Sequence, residues 1–162
     1  MIYCKKASLE DLEAIWDRSI AENPGDERYL RWKESFIGPN IRCEAATYLI
    51  MDDQIPIGEV TLDYFAAGYG NHGSRHLLAD GEKTAYVTAL RIQDHYEGNG
   101  YISQLMRYME ADAKSIGFER LTIGVEAAEA RTLAIYLHWD YNQFIMAEED
   151  DGELVLFYAK KL

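Results

Sequence analysis

The sequence predicts one domain of the mixed α/β (α+β) class. Its 162 residues suit a single domain, and the apolar share of 48% is enough for a sizeable core. Strand and helix patterns follow one another along the chain in the order β-α-α-β-β-β-α-β-α-β-β. No repeat, low-complexity tract or proline-rich linker interrupts the chain, so we expect residues 1–162 to form one domain.

The first part of the chain predicts one strand and two helices. Residues 2–6 (IYCKK) have the character of a short strand, and Ser8 with Asp11 resembles a capping box at a helix start. Apolar residues then recur at helical spacing at Leu9, Leu12, Ile15, Trp16 and Ile20. After the break ENPGDE, residues 27–37 predict a second helix that the sequence IGPN should end.

The middle of the chain predicts a β-hairpin, a long loop and a further strand. TYLIM (47–51) and IGEVTLDYF (57–65) are rich in β-branched and aromatic residues and flank the polar turn DDQ. Residues 66–83 contain four glycines and no clear period. A loop of that length is typical of a functional or disordered segment. TAYVTALRI (84–92) predicts a strong strand.

The last part predicts two helices, a strand and a closing hairpin. One helical face is formed by Ile102, Leu105, Met106, Met109, Ala113 and Ile116, and Gly117 should cap that helix. LTIGVE (121–126) alternates as a strand, and residues 127–139 read as a helix. The strand FIMA, the acidic turn EEDDGE (148–153) and LVLFYAKK (154–161) complete the hairpin.

Charge and composition argue against several functional classes. The net charge of -12 repels a phosphate backbone, so we expect no nucleic-acid partner. We also expect no membrane association and a cytoplasmic location, because no apolar stretch approaches the roughly 18 to 20 residues of a spanning helix and no signal peptide is visible. Cys4 and Cys43 lie far apart, and His72 and His76 lack carboxylate or cysteine partners, so we expect no metal.

The stretch YEGNGYISQLM (96–106) places two glycines between a strand and a helix. Backbone amides from Gly98 to Ser103 can converge at the positive end of the helix and bind an anion such as phosphate. A glycine pair before a helix is also ordinary turn chemistry, so this feature alone leaves both interpretations open.

Two segments together resemble the GNAT superfamily of N-acetyltransferases. Its pattern has a strand, then [QR]-x-x-G-x-[GA] and a helix, and later a helix with Leu-Tyr ahead of a Gly-Phe pair. LRIQDHYEGNGYISQLM (90–106) corresponds to the first part and RTLAIYLHWDY (131–141) to the second. The resemblance implies the GNAT fold, with a mostly antiparallel sheet of six or seven strands flanked by helices.

The glycine motif admits two registers. In the preferred register Gly100 is the first motif glycine, so Glu97 stands in the place of Gln or Arg and Ile102 in that of Gly or Ala. A register two residues upstream uses His95, Gly98 and Gly100. In the preferred register Glu97 is unfavourable beside a diphosphate if its side chain points inward.

The second segment keeps the tyrosine of the family. Tyr136 occupies that position, whereas Glu129 stands where asparagine is usual and Asp140-Tyr141 replaces Gly-Phe. Without the family, a tyrosine on an apolar helix face would be interpreted as part of the core.

The resemblance implies acetyl-CoA as co-substrate, and it assigns site residues by position. In direct transfer an amine attacks the thioester, a tetrahedral oxyanion forms, and coenzyme A leaves as a thiolate that Tyr136 would protonate. Backbone amides near residues 90–92, where the strand is usually bulged, would stabilise the oxyanion. The cofactor-binding residues are Leu90, Arg91, Ile92, Glu97, Gly98, Asn99, Gly100, Tyr101, Ile102, Ser103 and Glu129.

The acceptor and the general base are less defined by the sequence. A lysine-like amine of pKa about 10.4 is mostly protonated at neutral pH, so a base is required. Glu59, Glu126 and His138 are candidates, and the sequence does not choose among them. The acidic segment NPGDE and the net charge favour a small primary amine that is cationic, such as a polyamine or an aminoglycoside. Peptide N-termini, lysine side chains and small metabolite amines stay open as acceptors.

A second function stays open at this level. Glu97, Ile102 and Glu129 suggest a GNAT-fold module that binds acyl-CoA or a partner without turnover, whereas Tyr136 favours an enzyme. Dimers are common in the family, so a homodimer is a further open expectation.

Overall fold

A computed structural model of the chain describes residues 1–66 and 75–162. Its helices are α1 (Leu9–Glu22), α2 (Arg28–Ile41), α3 (Arg75–Leu78), α4 (Tyr101–Ser115) and α5 (Ala130–His138). Its strands are β1 (Ile2–Lys6), β2 (Ala45–Asp52), β3 (Ile55–Asp63), β4 (Thr84–Ile92), β5 (Arg120–Glu126), β6 (Gln143–Asp150) and β7 (Glu153–Lys161). They form a seven-stranded sheet in the order β1-β2-β3-β4-β5-β7-β6, which confirms the predicted mixed class.

The chain divides into two compact units. The first comprises Met1–Thr61 and Ala89–Met109, and the second comprises Leu62–Thr88 and Glu110–Leu162. The expectation of one domain over residues 1–162 stays a prediction. Residues 67–74, which include His72 and part of the predicted long loop, lie outside the described residues.

In the first unit, α1 begins as the sequence predicts. The Ser8 hydroxyl accepts a hydrogen bond from the Asp11 amide at 3.2 Å, and the Ser8 amide donates to the Asp11 carboxylate at 2.7 Å, so the capping box is present. The helix buries Leu12 and Trp16 against Ile37 of α2. This packing fixes the apolar face of α1 and leaves the neighbouring face for other contacts.

The predicted end of α2 is wrong, because the helix continues through Pro39 to Ile41. Proline removes one helical hydrogen bond and usually ends a helix. Here the Asn40 side chain holds the last turn: its amide nitrogen donates to the Phe36 carbonyl at 2.9 Å, and its oxygen accepts from the Thr47 amide at 3.1 Å. The last turn is therefore tied to the start of β2.

The strand pairs are mostly antiparallel, as expected for the predicted sheet. In the first unit β1 pairs antiparallel with β2, from Ile2 opposite Asp52 to Lys6 opposite Tyr48. In the second unit β4 runs parallel to β5 over residues 84–87, whereas β5 and β6 each pair antiparallel with β7. A single parallel pair among these ladders fits the mostly antiparallel sheet.

Four points of the helix prediction need correction. The short helix α3 and a 3-10 helix at Asp94–Tyr96 were not expected. The start of α5 is Ala130 and not Ala127, because the Ala127 amide donates to the Leu154 carbonyl at 2.7 Å and is held by β7. Helix α4 is capped at Gly117 as predicted, but Ile116 is 49% exposed and does not belong to its buried face.

The acidic turn is shorter than predicted. Strands β6 and β7 continue through Asp150 and from Glu153, so only Asp151 and Gly152 form the turn. Both have positive φ, 50° and 84°, which is the conformation of a tight two-residue hairpin turn. The charges EEDDGE are thus mostly strand residues, and their repulsion does not prevent pairing.

Candidate functional site

Strand β4 departs from regular geometry at Ala89. Its φ of 52° lies in the left-handed region, which regular strands do not use, and it marks a bulge-like irregularity. Leu90, Arg91 and Ile92 follow directly and end the strand. The irregularity therefore lies one residue before three of the predicted cofactor-binding residues.

Close approach of β3 to β4 depends on Gly58. A Cβ at this position would lie 2.9 Å from the Arg91 carbonyl oxygen and 3.0 Å from Cγ2 of Ile50. The contact with the Arg91 carbonyl is too short for any residue with a side chain, so a substitution would have to move the strands apart. The contact continues at Gln93, whose amide donates to the Ile57 carbonyl at 2.8 Å.

The next residue of β3 carries a buried charge. Among the described residues, Glu59 is the one buried residue whose side chain is charged at neutral pH, and 8% of it is exposed. Its carboxylate accepts a hydrogen bond from Nε of Arg91, whose own side chain is 55% exposed. Burial raises the pKa of Glu59 above its usual value, and Arg91 opposes the rise without cancelling it. The carboxylate is consequently a stronger base than a solvated glutamate.

A pocket of about 520 Å³ opens beside this ion pair. Its volume suits a small molecule. Strands β2 and β3 contribute apolar side chains such as Leu49 and Ile57, and helix α1 contributes Arg18 and Glu22. The pocket thus combines an apolar wall with a few charged groups, of which Glu59 is the most buried.

The predicted anion loop contains two glycines in the left-handed backbone region. Gly98 and Gly100 have φ values of 74° and 77°, and open space lies where a Cβ would point at each. The Asn99 side chain donates to the carbonyls of Tyr96 and Glu97, both at 3.1 Å, and so holds the loop closed on itself. Both positions therefore favour glycine because of their positive φ, and not because a side chain would clash with a neighbouring residue.

Helix α4 begins directly after this loop. The Gln104 amide donates to the Gly100 carbonyl at 3.1 Å. The amides of Tyr101 and Ile102 therefore lie ahead of the first backbone hydrogen bond of the helix. Such amides and the helix dipole stabilise an anion at this end. Ile102 is the second residue of the helix. Glu97 is exposed.

Tyr136 lies on α5 in the second unit and is 9% exposed. Its ring stacks on Trp139 with the centroids 6.0 Å apart. Burial raises its pKa above the usual value, so the hydroxyl stays protonated at neutral pH. Over residues 1–66 and 75–162 this hydroxyl makes no hydrogen bond, yet it is not fully enclosed, so it is open to a ligand.

The model of the acetyltransferase (GNAT) family matches residues 9–141. The chain belongs to this family. The match includes β4, the glycine loop, α4 and α5, and it ends at Tyr141. A search of curated proteins found no significant match.

Solved structures with the same fold align with nearly all of this chain. NAA60 of Arabidopsis thaliana in complex with acetyl-CoA has a TM-score of 0.70 at 13% identity and covers 100% of this chain and 99% of its own. PaiA N-acetyltransferase of Thermoplasma acidophilum in complex with coenzyme A has a TM-score of 0.61 at 17% identity, and the match covers 100% of this chain and 99% of that one. An N-acetyltransferase of Staphylococcus aureus Mu50 has a TM-score of 0.66 at 15% identity, and the match covers 99% of this chain and 98% of that one.

One departure from the GNAT pattern has a structural reason. Asp140 stands in the place of the usual glycine and has a φ of 71°, a conformation that aspartate adopts more readily than most residues. Tyr141 replaces phenylalanine and is fully buried, and its hydroxyl donates to Glu110 at 2.9 Å. Lys160 donates to the same carboxylate at 2.9 Å, so the added polar groups are satisfied.

Other candidate residues of the GNAT domain lie at exposed positions. Glu129 precedes α5 and makes no side-chain cap hydrogen bond. Glu126 at the end of β5 and His138 at the end of α5 are both exposed, whereas Glu59 lines the pocket. Sequence reasoning missed Arg18 and Glu22. The signal was their spacing on α1, where Ile15, Arg18, Ser19 and Glu22 share one face.

The described residues contain neither a candidate metal site nor a candidate membrane-spanning helix. No group of three or more histidine, cysteine, aspartate or glutamate side chains in residues 1–66 and 75–162 is placed to hold a metal ion. In the same ranges no helix has the length and apolar composition needed to cross a membrane.

Proposed function

We propose that this chain transfers the acetyl group of acetyl-CoA to a primary amine of a small acceptor. The observation that carries the proposal is the buried Glu59 in a pocket of small-molecule size, within a chain of the acetyltransferase family. Structural neighbours solved with acetyl-CoA or coenzyme A support the choice of co-substrate. A location in the cytoplasm and a homodimer stay predictions.

The glycine loop fits the diphosphate of coenzyme A. Gly98 and Gly100 turn the backbone, and the amides of Tyr101 and Ile102 lie ahead of the helical ladder, where they can donate to phosphate oxygens. Glu97 is exposed, so its charge is screened by water. Acetyl-CoA supplies an activated acetyl group, and the amides of residues 90–92 would orient its carbonyl.

Glu59 is the proposed general base. The attacking nitrogen must be neutral, and a lysine-like ammonium of pKa about 10.4 holds its proton at neutral pH. A carboxylate with a raised pKa is better matched to accept that proton than a solvated one. Glu59 also lines the pocket, whereas Glu126 and His138 are exposed, which favours Glu59 among the three candidates.

Tyr136 is the proposed acid. Its raised pKa keeps a proton on the hydroxyl until a thiolate forms, and the hydroxyl has no competing hydrogen bond over residues 1–66 and 75–162. The alternative is a GNAT-fold module that binds acyl-CoA or a partner without turnover. It is favoured by Glu97, Ile102 and Glu129, which depart from the family pattern. Kinetics of the variants below separate the two functions.

Replacing Gly100 by alanine should weaken acetyl-CoA binding about tenfold, because a left-handed conformation costs an L-residue roughly 1 to 2 kcal/mol. Gly152→Ala is the matched control, since Gly152 has a φ of 84° in the hairpin turn, away from the loop. Calorimetric titration measures both variants. Equal dissociation constants for Gly100→Ala and wild type would contradict the phosphate role, and no binding to wild type at millimolar ligand would favour a partner-binding module.

Tyr136→Phe should lower kcat by about 100-fold, the usual size of a lost general acid, with the affinity for acetyl-CoA unchanged. Tyr158→Phe serves as control, because Tyr158 packs on Phe144 in the β6–β7 hairpin. Release of coenzyme A reports the rate. Full activity of Tyr136→Phe would remove this residue as the acid.

Glu59→Gln should raise stability and lower activity together. The folded pKa of Glu59 is raised, so its stabilising contribution exists below the usual glutamate pKa and is lost as pH rises through the folded pKa. At pH 7 the neutral amide should therefore add on the order of 1 kcal/mol to the free energy of unfolding, as at other strained sites. Urea titrations at pH 7 and pH 4.5 should show the gain shrinking in acid.

The activity of Glu59→Gln should fall about 100-fold in kcat/KM at pH 7. The loss should shrink as pH approaches the pKa of the acceptor amine, since the amine then needs no base. A variant that keeps the wild-type kcat/KM at pH 7 would remove Glu59 as the base.

The net charge of -12 should also steer a cationic acceptor toward the protein. Raising salt from about 0.05 M to about 0.5 M should therefore increase the KM of spermidine several-fold, because screening shortens the reach of the field. The affinity for acetyl-CoA, an anion, should not weaken in the same series and provides the control. A salt-independent KM would remove steering from the proposal.

A further inference from the structure

Four ionisable groups line the pocket of the first unit, two of each sign. Glu59 and Arg91 form the ion pair on β3 and β4, and Arg18 and Glu22 lie one turn apart on α1. Their formal charges cancel, although the whole chain carries -12. The pocket is therefore much less acidic than the protein that surrounds it, and a purely cationic ligand would meet two guanidinium groups there.

Of the two arginines that line the pocket, Arg18 is exposed and has no acidic partner among the described residues. Over residues 1–66 and 75–162 it makes no ion pair and no side-chain hydrogen bond, and its pocket neighbour Glu22 lies beyond salt-bridge distance. Arg91 is only partly engaged, since Nε donates to Glu59 while its two terminal nitrogens make no described hydrogen bond. The pocket thus presents guanidinium donors without acceptors.

Guanidinium donors of this kind match a carboxylate. The fork of arginine binds two carboxylate oxygens in parallel, and such charge-assisted hydrogen bonds are stronger than neutral ones. An acceptor that is an anion overall would be repelled by the net charge of the chain. An acceptor without a carboxylate would leave the guanidinium groups unpaired. An acceptor that carries both an amine and a carboxylate, and is not an anion overall, satisfies both constraints.

We propose that the acceptor is an amino acid, with its carboxylate bound by Arg18 and its amine directed to Glu59. This rests on the proposed acetyl transfer and names the substrate class of the same pocket. Arg18 is a specificity residue in this arrangement, because it contacts the carboxylate and not the reacting atoms. The apolar wall formed by Leu49 and Ile57 would face the rest of the acceptor.

The test compares amino acids with the amines that remain when their carboxylate is removed. The pairs are lysine and cadaverine, ornithine and putrescine, and phenylalanine and phenethylamine. Release of coenzyme A gives kcat/KM for each member. At least one amino acid should exceed its amine by about tenfold or more, the size expected for a charge-assisted hydrogen bond. The remaining L-amino acids complete the panel.

The variant Arg18→Gln should erase most of that preference. It should lower kcat/KM for the preferred amino acid about tenfold or more and leave the value for its amine within about twofold, because only the carboxylate contact is removed. Arg31→Gln is the matched control, since Arg31 is exposed on α2 and does not line the pocket. The pH profile of the amine reaction should be the same in both variants.

Failure of this proposal can be told from failure of acetyl transfer. Binding of each amino acid and amine to the protein alone, followed by ligand-observed NMR, does not depend on turnover. If acetyl-CoA does not bind, acetyl transfer fails, and the NMR preference still decides the substrate class. The proposal is overturned if no amino acid binds or reacts better than its amine, or if Arg18→Gln and Arg31→Gln behave alike.

Discussion

The first unit depends on the close approach of β3 and β4 at Gly58. Because a Cβ there would meet the Arg91 carbonyl at 2.9 Å, only glycine lets the two strands come this near. Glu59 follows Gly58, and the short separation brings its carboxylate to Nε of Arg91. The approach thus creates a buried carboxylate with one charged partner, an arrangement that proteins keep for chemistry more often than for stability.

Charge acts at two scales in this chain. The overall charge of -12 produces a field that attracts cations over roughly a Debye length, about 8 Å at physiological salt. Within the pocket, Arg18 and Arg91 balance Glu22 and Glu59. The long-range field and the pocket therefore select on different parts of an acceptor, its net charge and its arrangement of charged groups.

In the second unit, α5 is held by contacts that replace a family feature. The Tyr141 amide donates to the Tyr136 carbonyl at 3.0 Å, and the Tyr141 hydroxyl shares the Glu110 carboxylate with Lys160. Burial raises the pKa of Tyr141 well above its usual value, so it stays a donor. The substitution of Asp-Tyr for Gly-Phe is thus compatible with an ordered end of the helix that carries Tyr136.

The sequence by itself determined the order of most elements, the capping box at Ser8, the strand 84–92 and the family, because these depend on local patterns and fixed spacing. It did not determine the end of α2 or the start of α5, which long-range bonds from Asn40 to Thr47 and from Ala127 to Leu154 decide. It also did not choose among Glu59, Glu126 and His138 as the general base. Only the tertiary structure distinguished the buried Glu59 from exposed Glu126, because burial depends on strands distant in sequence.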